Sequence, residues 1–451
     1  MEERLVVIGG DAAGMSAASR AKRRRPDLAI EVFEAGRFVS YGACGIPYFI
    51  SGQVKSLEDL VVVTPRQFEE ERGIKVHLGH RVEEVLADQK KVVVKELASG
   101  QTKELAYDKL LIATGAEPVF PPGLDPALPG VFTIRGLKDA AELKDFITRK
   151  GIGNGVIIGA SYIGLEMAEG LAAARLEVSL LVRTRVLSNF EEEISAVVAE
   201  ELKRQGVRIL AGVTVARTEV GRSGEIRLVL DDGRSLSAGL VLVGAGVRPR
   251  SELASRAGLE LGVRGAIRVD RHQRTSRPEI FAAGDCAEAY HRLLAKNTYL
   301  PLALTANRQG RVAGDNIAGL RSEFPGILGS AVCKVFDLTI ARTGLGLKEA
   351  KEAGLEVVKV AVDSASRAKY YPGSGRIKTV VVVEKGTRRL WGVQMVGPDG
   401  VAQRINTWAA VLAAGLDLKE IGDLDLAYAP PYSPVWDPVL QAAEVALKQI
   451  R

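Results

Sequence analysis

The chain has 451 residues, 47% hydrophobic and 26% charged, an ordinary globular balance for about two or three domains. Three cysteines are too few for a disulfide framework, and no stretch reaches the roughly 18 uninterrupted apolar residues of a membrane-spanning helix. The net charge is +6, but aromatic residues make up only 5% and do not interleave with the basic ones, which argues against a nucleic-acid surface. A cytoplasmic protein with no signal peptide and no metal site is expected.

The first predicted element is a short apolar strand over residues 5–8, running into Gly9-Gly10-Asp11-Ala12-Ala13-Gly14. Gly9 and Gly14 take the first and third positions of a dinucleotide-binding glycine turn, and Asp11 stands at the middle one. Glycines there let a strand turn sharply into a helix and bring the backbone against a pyrophosphate, whose charge meets the helix N-terminus. The helix ends at Arg20-Ala21-Lys22-Arg23-Arg24-Arg25, before Pro26. Such a basic run either holds a polyphosphate or is a solvated helix end, where cations favour the dipole. A second strand over 30–34 ends at Glu34, a carboxylate placed to accept both ribose hydroxyls.

Cys44 follows, inside Ser40-Tyr41-Gly42-Ala43-Cys44-Gly45-Ile46-Pro47-Tyr48. Cys286 and Cys333 lie far along the chain. A thiol without a cysteine neighbour, early in a nucleotide-binding fold, points to thiol redox chemistry with an external sulfur partner.

Residues 110–115 form a buried strand ending in Thr114-Gly115, and Pro118, Pro121 and Pro122 then mark a boundary. The glycine turn returns as Gly159-Ala160-Ser161-Tyr162-Ile163-Gly164 after a strand over 156–158, so two nucleotide-binding domains are expected. The next strand, 178–183, ends at Val182 and Arg183 with no acid for a ribose, and Arg185 is close by. That pattern leans towards the 2′-phosphate of NADPH. A strand over 240–243 turns at Gly244-Ala245-Gly246, and a strand ending in Gly284-Asp285 offers a carboxylate to a polyol such as the ribityl chain of FAD. After Pro325 the character changes. Strands are predicted over 331–340, which contains Cys333, and over 379–383 and 390–395, with helices over 401–414 and 435–450.

With these pieces in order the chain resembles the flavin disulfide-reductase superfamily. The resemblance rests on residues 9–14, Glu34, residues 113–115, 159–164 and 283–285, and spans the first 325 residues. It implies an α/β fold of two Rossmann-like domains, for FAD (1–116 and 250–325) and NAD(P)H (117–249), followed by an α+β dimerisation domain (326–451). It implies FAD contacts at Gly9, Asp11, Ala12, Ala13, Gly14, Glu34, Val82, Thr114, Gly115, Asp285 and Ala306. NAD(P)H would meet Gly159, Ser161, Tyr162, Ile163, Gly164, Val182, Arg183 and Gly246, with Tyr162 either covering the flavin or packing.

The Cys44 segment selects a branch. Relatives similar to glutathione reductase carry Cys-x-x-x-x-Cys, whereas Phe49 stands five residues after Cys44. The segment resembles the single-cysteine branch of coenzyme A (CoA) disulfide reductases, persulfide reductases, NADH oxidases and NADH peroxidases. Ala12 replaces the histidine of the oxidases and peroxidases, so CoA disulfide reductase is the nearest likeness. That likeness implies a Cys44–CoA mixed disulfide and CoA phosphates near Arg20 and Arg23, with Ser16, Ser40 and Arg72 as further contacts. It implies a homodimer whose partner supplies Tyr370, taken over adjacent Tyr371, and Tyr428. Ala43 stands where relatives have asparagine, which leaves room for a smaller or broader disulfide. The other readings are an NAD(P)H oxidase, a quinone reductase or a flavin-bound thiol sensor. No sulfur-transfer domain is expected after Arg451.

Overall fold

A computed structural model describes residues 3–221 and 224–450. Its contacts separate two units, one of Met1–Val119, Thr133–Arg149 and Gly246–Ile327, the other of Phe120–Phe132, Lys150–Ala245 and Leu328–Arg451.

In the first unit five parallel strands stand in the order Ile280–Ala282, Lys109–Ile112, Arg4–Ile8, Ala29–Glu34 and Lys75–Leu78. Leu5 and Val7 pack on one face beneath Ala17, Ala21 and Ile317, while Val6 and Ile8 pack on the other against Val82, Val92 and Val94. Both faces are covered, which is why the strand reads as a continuous apolar run. The second cover is an antiparallel sheet of His80–Leu86, Lys91–Glu96 and Thr102–Ala106. The chain moves outwards in opposite directions from Arg4–Ile8, so that strand's C-terminal end is the switch point at which open α/β sheets bind ligands.

Helix Ala12–Arg24 leaves that point and lies along helix Ala303–Ile317. A Cβ on Gly310 would overlap the carbonyl of Ala13, and one on Gly314 would overlap that of Ala17, so the two backbones touch. Asp315 bridges the seam: its carboxylate accepts from Arg20 Nε at 2.8 Å and Arg24 Nε at 3.0 Å.

The second unit repeats the plan with parallel strands Arg208–Ala211, Glu177–Val182, Asn154–Ile158 and Leu240–Val243. It continues into an antiparallel sheet ordered Ala331–Val335, Leu338–Gly344, Leu390–Gly397, Arg376–Glu384 and Val357–Ala365. The central strand Leu390–Gly397 is buried at every position. One side of this sheet carries helices Val401–Ala414 and Pro438–Gln449. On the other side Gln394 Oε1 accepts from Glu191 N at 2.6 Å and Lys359 Nζ meets Glu193 at 2.8 Å.

Two predicted elements differ from those observed. The strand expected over 331–340 is a hairpin that turns at Phe336, where φ is +50°. The final helix begins at Pro438, because the Asp437 side chain caps it by accepting from Val439 N. Among the described residues no helix is long and apolar enough to cross a membrane, and no three His, Cys, Asp or Glu side chains are grouped to hold a metal ion.

Candidate functional site

The first glycine turn is built by close backbone approach. Gly9 has φ +103°, and a Cβ there would strike the carbonyl of Ala113; a Cβ on Gly14 would strike the carbonyl of Gly9. The neighbouring strands therefore converge on the first turn of helix Ala12–Arg24, where the earliest backbone N–H groups have no helical partner. Ala13 and Ala306 are buried at this end of the helix, Ala12 is half-buried, and Gly284 abuts the Ala13 methyl. Val82 belongs to the core beneath.

Carboxylates rim the turn. Glu34 accepts from Gly10 N at 2.8 Å through Oε2 and from Gly36 N at 2.7 Å through Oε1, which leaves a second lone pair on each oxygen for ribose hydroxyls. Asp285, at the end of strand Ile280–Ala282, faces Arg135 Nη2 at 3.4 Å. Thr114 Oγ1 donates to the carbonyl of Arg250 at 2.6 Å, and Gly115 turns with φ +73°. A sharp glycine turn at a helix start, with a carboxylate towards each end, fits a dinucleotide that carries ribose at one end and a polyol at the other.

Asp11 is the unusual member. Burial pushes its carboxyl up to about 6, and the nearby Glu34 and Asp285 charges add to the rise against backbone hydrogen bonds from Tyr41 and Ala12. Between the ordinary carboxylate value and about 6 the folded chain holds a proton that the unfolded chain has lost, so stability falls as pH rises through that window. In the FAD-free protein the melting temperature is expected to decline over this range, and Asp11→Asn is expected to flatten the decline. Parallel slopes for the two proteins would contradict the assignment.

Cys44 sits on a single 3₁₀ turn, Ala43–Gly45, and is exposed. Its loop is held at both ends. Ser40, at φ +48°, donates its N–H to the Gly10 carbonyl at 2.9 Å. Gly42 N donates to Leu60 O and Val62 N to Ser40 O, each at 2.8 Å. A Cβ on Gly45 would meet the end of the Leu60 side chain, so the loop packs closely on Leu60 there. The Tyr41 phenol lies against Gly136, and its pKa is raised by burial and then by the Asp11 and Glu34 charges.

The residues expected along the first helix have mixed placements. Arg23 is exposed. Arg20 is committed to Asp315 through Nε and Nη2. Ser16 donates to Asn307 Oδ1 at 2.6 Å, and Arg72 donates to Ser19 Oγ at 3.2 Å while lying over the Phe68 ring. Burial opposes the charge on Asp315, but hydrogen bonds from Arg20 and Arg24 outweigh it and hold the carboxyl below its ordinary value.

In the second unit, Cβ atoms on Gly159 and Gly164 would meet the carbonyls of Gly244 and Gly159, the same construction as in the first turn. Ser161 is exposed, its Oγ 3.3 Å from the Gly244 carbonyl, and Ile163 is half-buried. Tyr162 packs edge-on to Phe190, and its hydroxyl is buried without a hydrogen-bond partner among the described residues. Val182 is buried and Arg183 exposed, whereas Arg185 turns onto the carbonyls of Ser188 and Phe190. Gly246 falls in the first unit, where its carbonyl accepts from Val119 N. Farther along, the Tyr370 and Tyr428 hydroxyls lie 3.2 Å apart on an exposed face, and this bond raises the Tyr428 pKa.

Sequence reasoning passed over Arg135, Tyr41, Asp315 and Glu166. Glu166 is a half-buried glutamate two residues beyond Gly164, its carboxyl pushed up to about 7 by loss of solvent and then by Glu169. An acid inside an otherwise apolar helix segment is a signal that finds it. Asp315 and Arg135 carry no such signal, because their partners are distant in sequence.

Residues 3–310 match the family model for pyridine nucleotide-disulphide oxidoreductases, and residues 330–438 match the dimerisation domain of the same enzymes. The chain is 40% identical over 447 residues to the NAD(P)H coenzyme A polysulfide/persulfide reductase of Pyrococcus horikoshii, covering 99% of this chain and 98% of that protein. It is 34% identical to an NADH oxidase of Methanocaldococcus jannaschii, over 99% of each chain. The solved NAD-dependent persulfide reductase from A. fulgidus superposes with a TM-score of 0.95 at 39% identity, over 99% of this chain and 83% of that one.

Proposed function

The chain belongs to the pyridine nucleotide-disulphide oxidoreductase family, and from that premise we propose that it is a cytoplasmic, homodimeric FAD enzyme that uses NAD(P)H to reduce CoA disulfide, or a related CoA persulfide or polysulfide, through Cys44. The observation that carries this reading is an exposed thiol on a rigid turn tied by the Ser40 N–H to Gly10 of the dinucleotide cradle. FAD, when bound, supplies a two-electron relay between nicotinamide and sulfur. Gly9, Gly14, Glu34 and Asp285 hold it, with Ala12, Ala13, Val82, Thr114, Gly115 and Ala306 around it. Gly159, Ser161, Ile163 and Gly164 hold NAD(P)H.

The Cys44 thiolate attacks one sulfur of the disulfide, the S–S bond breaks, and one CoA thiolate leaves and takes a proton. Cys44 is then in a mixed disulfide with the second CoA. The hydride of NAD(P)H is the source of the two electrons and one proton that split this bond, releasing the second CoA thiol and restoring the thiolate. The sum is NAD(P)H, one proton and CoA disulfide giving NAD(P)⁺ and two CoA thiols. A second copy of the chain contributes its Tyr370 and Tyr428, whose paired hydroxyls protonate the departing thiolate. CoA phosphates meet Arg23 and the Nη1 of Arg20, the terminal nitrogen that the Asp315 pair leaves over, with Ser16, Ser40 and Arg72 along the way.

Stopped-flow reoxidation of the NAD(P)H-reduced enzyme tests the acceptor. CoA disulfide is expected to restore the oxidised flavin spectrum faster than oxygen or menadione; faster reoxidation by oxygen would make it an oxidase, and by menadione a quinone reductase. Arg183 is exposed at the end of the second unit's second strand, where a 2′-phosphate would lie, and Arg185 is not available there. Arg183→Ala is therefore expected to lower the NADPH-to-NADH efficiency ratio by about tenfold, one charge-assisted contact. An unchanged ratio would remove Arg183 from cofactor choice.

A further inference from the structure

Asp11 stands where the dinucleotide turn ordinarily has its second glycine, the position at which the backbone comes up to the pyrophosphate. It is also the N-cap of helix Ala12–Arg24, yet its side chain makes no cap bond. An N-cap acid usually accepts from the second or third N–H of its helix, here Ala13 or Gly14. This carboxyl instead takes backbone bonds from Tyr41, in the Cys44 loop, and from Ala12. Helix capping therefore does not account for an acid at this position.

Two more carboxylates reach the same turn from other elements. Glu34 ends the second strand and accepts from Gly10 N, the residue before Asp11, at 2.8 Å. Asp285 follows strand Ile280–Ala282. Burial is the largest influence on Asp11, and both of these charges bear on it as well. The Tyr41 phenol feels the Asp11 charge in turn. Arg135 faces Asp285 at 3.4 Å, Tyr299 donates to the Asp285 carbonyl at 3.0 Å, and Asp139 accepts from the N–H groups of Arg135 and Gly136. Glu34 and Asp285 suit the ribose and polyol ends of a dinucleotide, and Asp11 is within reach of both charges. The pyrophosphate that joins those ends thus comes to a turn whose middle residue is an acid. Two anions in a buried setting repel with little screening, and a carboxyl escapes that repulsion by keeping a proton.

We propose that Asp11 meets the FAD pyrophosphate as a neutral carboxylic acid, so that FAD binding at neutral pH takes up about one proton per chain. The proposal rests on the first cradle being the FAD site and is independent of the acceptor that Cys44 reduces. In the FAD-free chain Asp11 loses its proton around pH 6. Below that pH the acid form is already present, and FAD affinity is expected to be flat. Above it the proton must be restored on binding, so the Kd is expected to rise by about tenfold per pH unit until the value of the bound state is reached.

The test uses the full-length holoenzyme. FAD fluorescence recovered on dilution gives the Kd at each pH, and the slope of log Kd against pH counts the protons. Asp11→Asn keeps the shape of the acid without its titration, and Asp11→Gly restores the ordinary glycine. Each is expected to hold FAD with a Kd that does not change over the same range, and either one suffices if the other fails to fold. A wild-type Kd independent of pH would overturn the proposal. So would a slope that persists in both variants, because the proton would then belong to another group. A chain that holds no FAD at all would fail the cofactor reading and this proposal together, whereas pH-independent binding would overturn this proposal alone.

Discussion

Cys44→Ser is expected to retain FAD, to be reduced by NAD(P)H at the wild-type rate, and to lose CoA-disulfide turnover by at least about 10³-fold, the scale of removing a covalent nucleophile. Serine is nearly the same size, and backbone bonds among Ser40, Gly42, Leu60 and Val62 hold the turn. The cradle should therefore survive. Neither other cysteine can take over. Cys286 is fully buried, its thiol directed at the carbonyls of Ile112 and Ala283, and burial raises its pKa. Cys333 is buried in the C-terminal sheet, and burial followed by the Glu166 charge raises its pKa as well. Only a thiolate attacks sulfur, so both are inert at neutral pH. Cys286→Ser and Cys333→Ser are expected to turn over normally. Wild-type turnover in Cys44→Ser would sink the mechanism, and mass spectrometry of the wild-type protein before and after reductant should show about one CoA released per chain.

Arg404→Met is expected to destabilise the second unit by about 3–5 kcal/mol, the range for breaking a buried ion pair by removing one partner. Arg404 is buried, its Nε 2.9 Å from Asp437 Oδ2 and its Nη2 donating to the carbonyls of Ser366 and Tyr432. Asp437 also accepts from Ser433 Oγ and Val439 N. This one guanidinium thus joins helix Val401–Ala414 to the segment that follows strand Val357–Ala365 and to the loop before the last helix. Those two segments carry Tyr370 and Tyr428. Removing the arginine leaves the Asp437 charge buried and releases both loops, so the phenol pair should separate along with the loss of stability. Urea unfolding and limited proteolysis within residues 366–376 measure the two effects. A change under about 1 kcal/mol, with unaltered proteolysis, would show that the pair contributes nothing net, as some buried pairs do.

The two glycine turns were legible because their requirement is local. A strand that must turn into a helix while another backbone passes within contact of Gly9 tolerates no side chain, and that constraint writes itself into six consecutive residues. Glu34 was legible for the same reason, as the end of the next strand. The strand Leu390–Gly397 was legible from its apolar run, although the hairpin at Phe336 was not, since Cys333 and Ile340 sit in similar apolar surroundings on either side of the turn. The likeness of the Cys44 segment to single-cysteine enzymes came from residue identity alone.

By itself the sequence determined the order of elements and the two glycine turns, and its likeness to a family singled out Cys44, Tyr370 and Tyr428 as candidates. Tertiary structure alone decided which charges remain available. Arg20 and Arg24 read as part of a basic run, but Asp315, almost 300 residues onward, is brought to them by two glycines that let the helices touch. Arg135 reaches Asp285 across 150 residues, and Arg404 reaches Asp437 across 33. Backbone geometry is a property of neighbours in the chain and can be read there. The pairing of charges is a property of neighbours in space, and only the packed fold selects the partner.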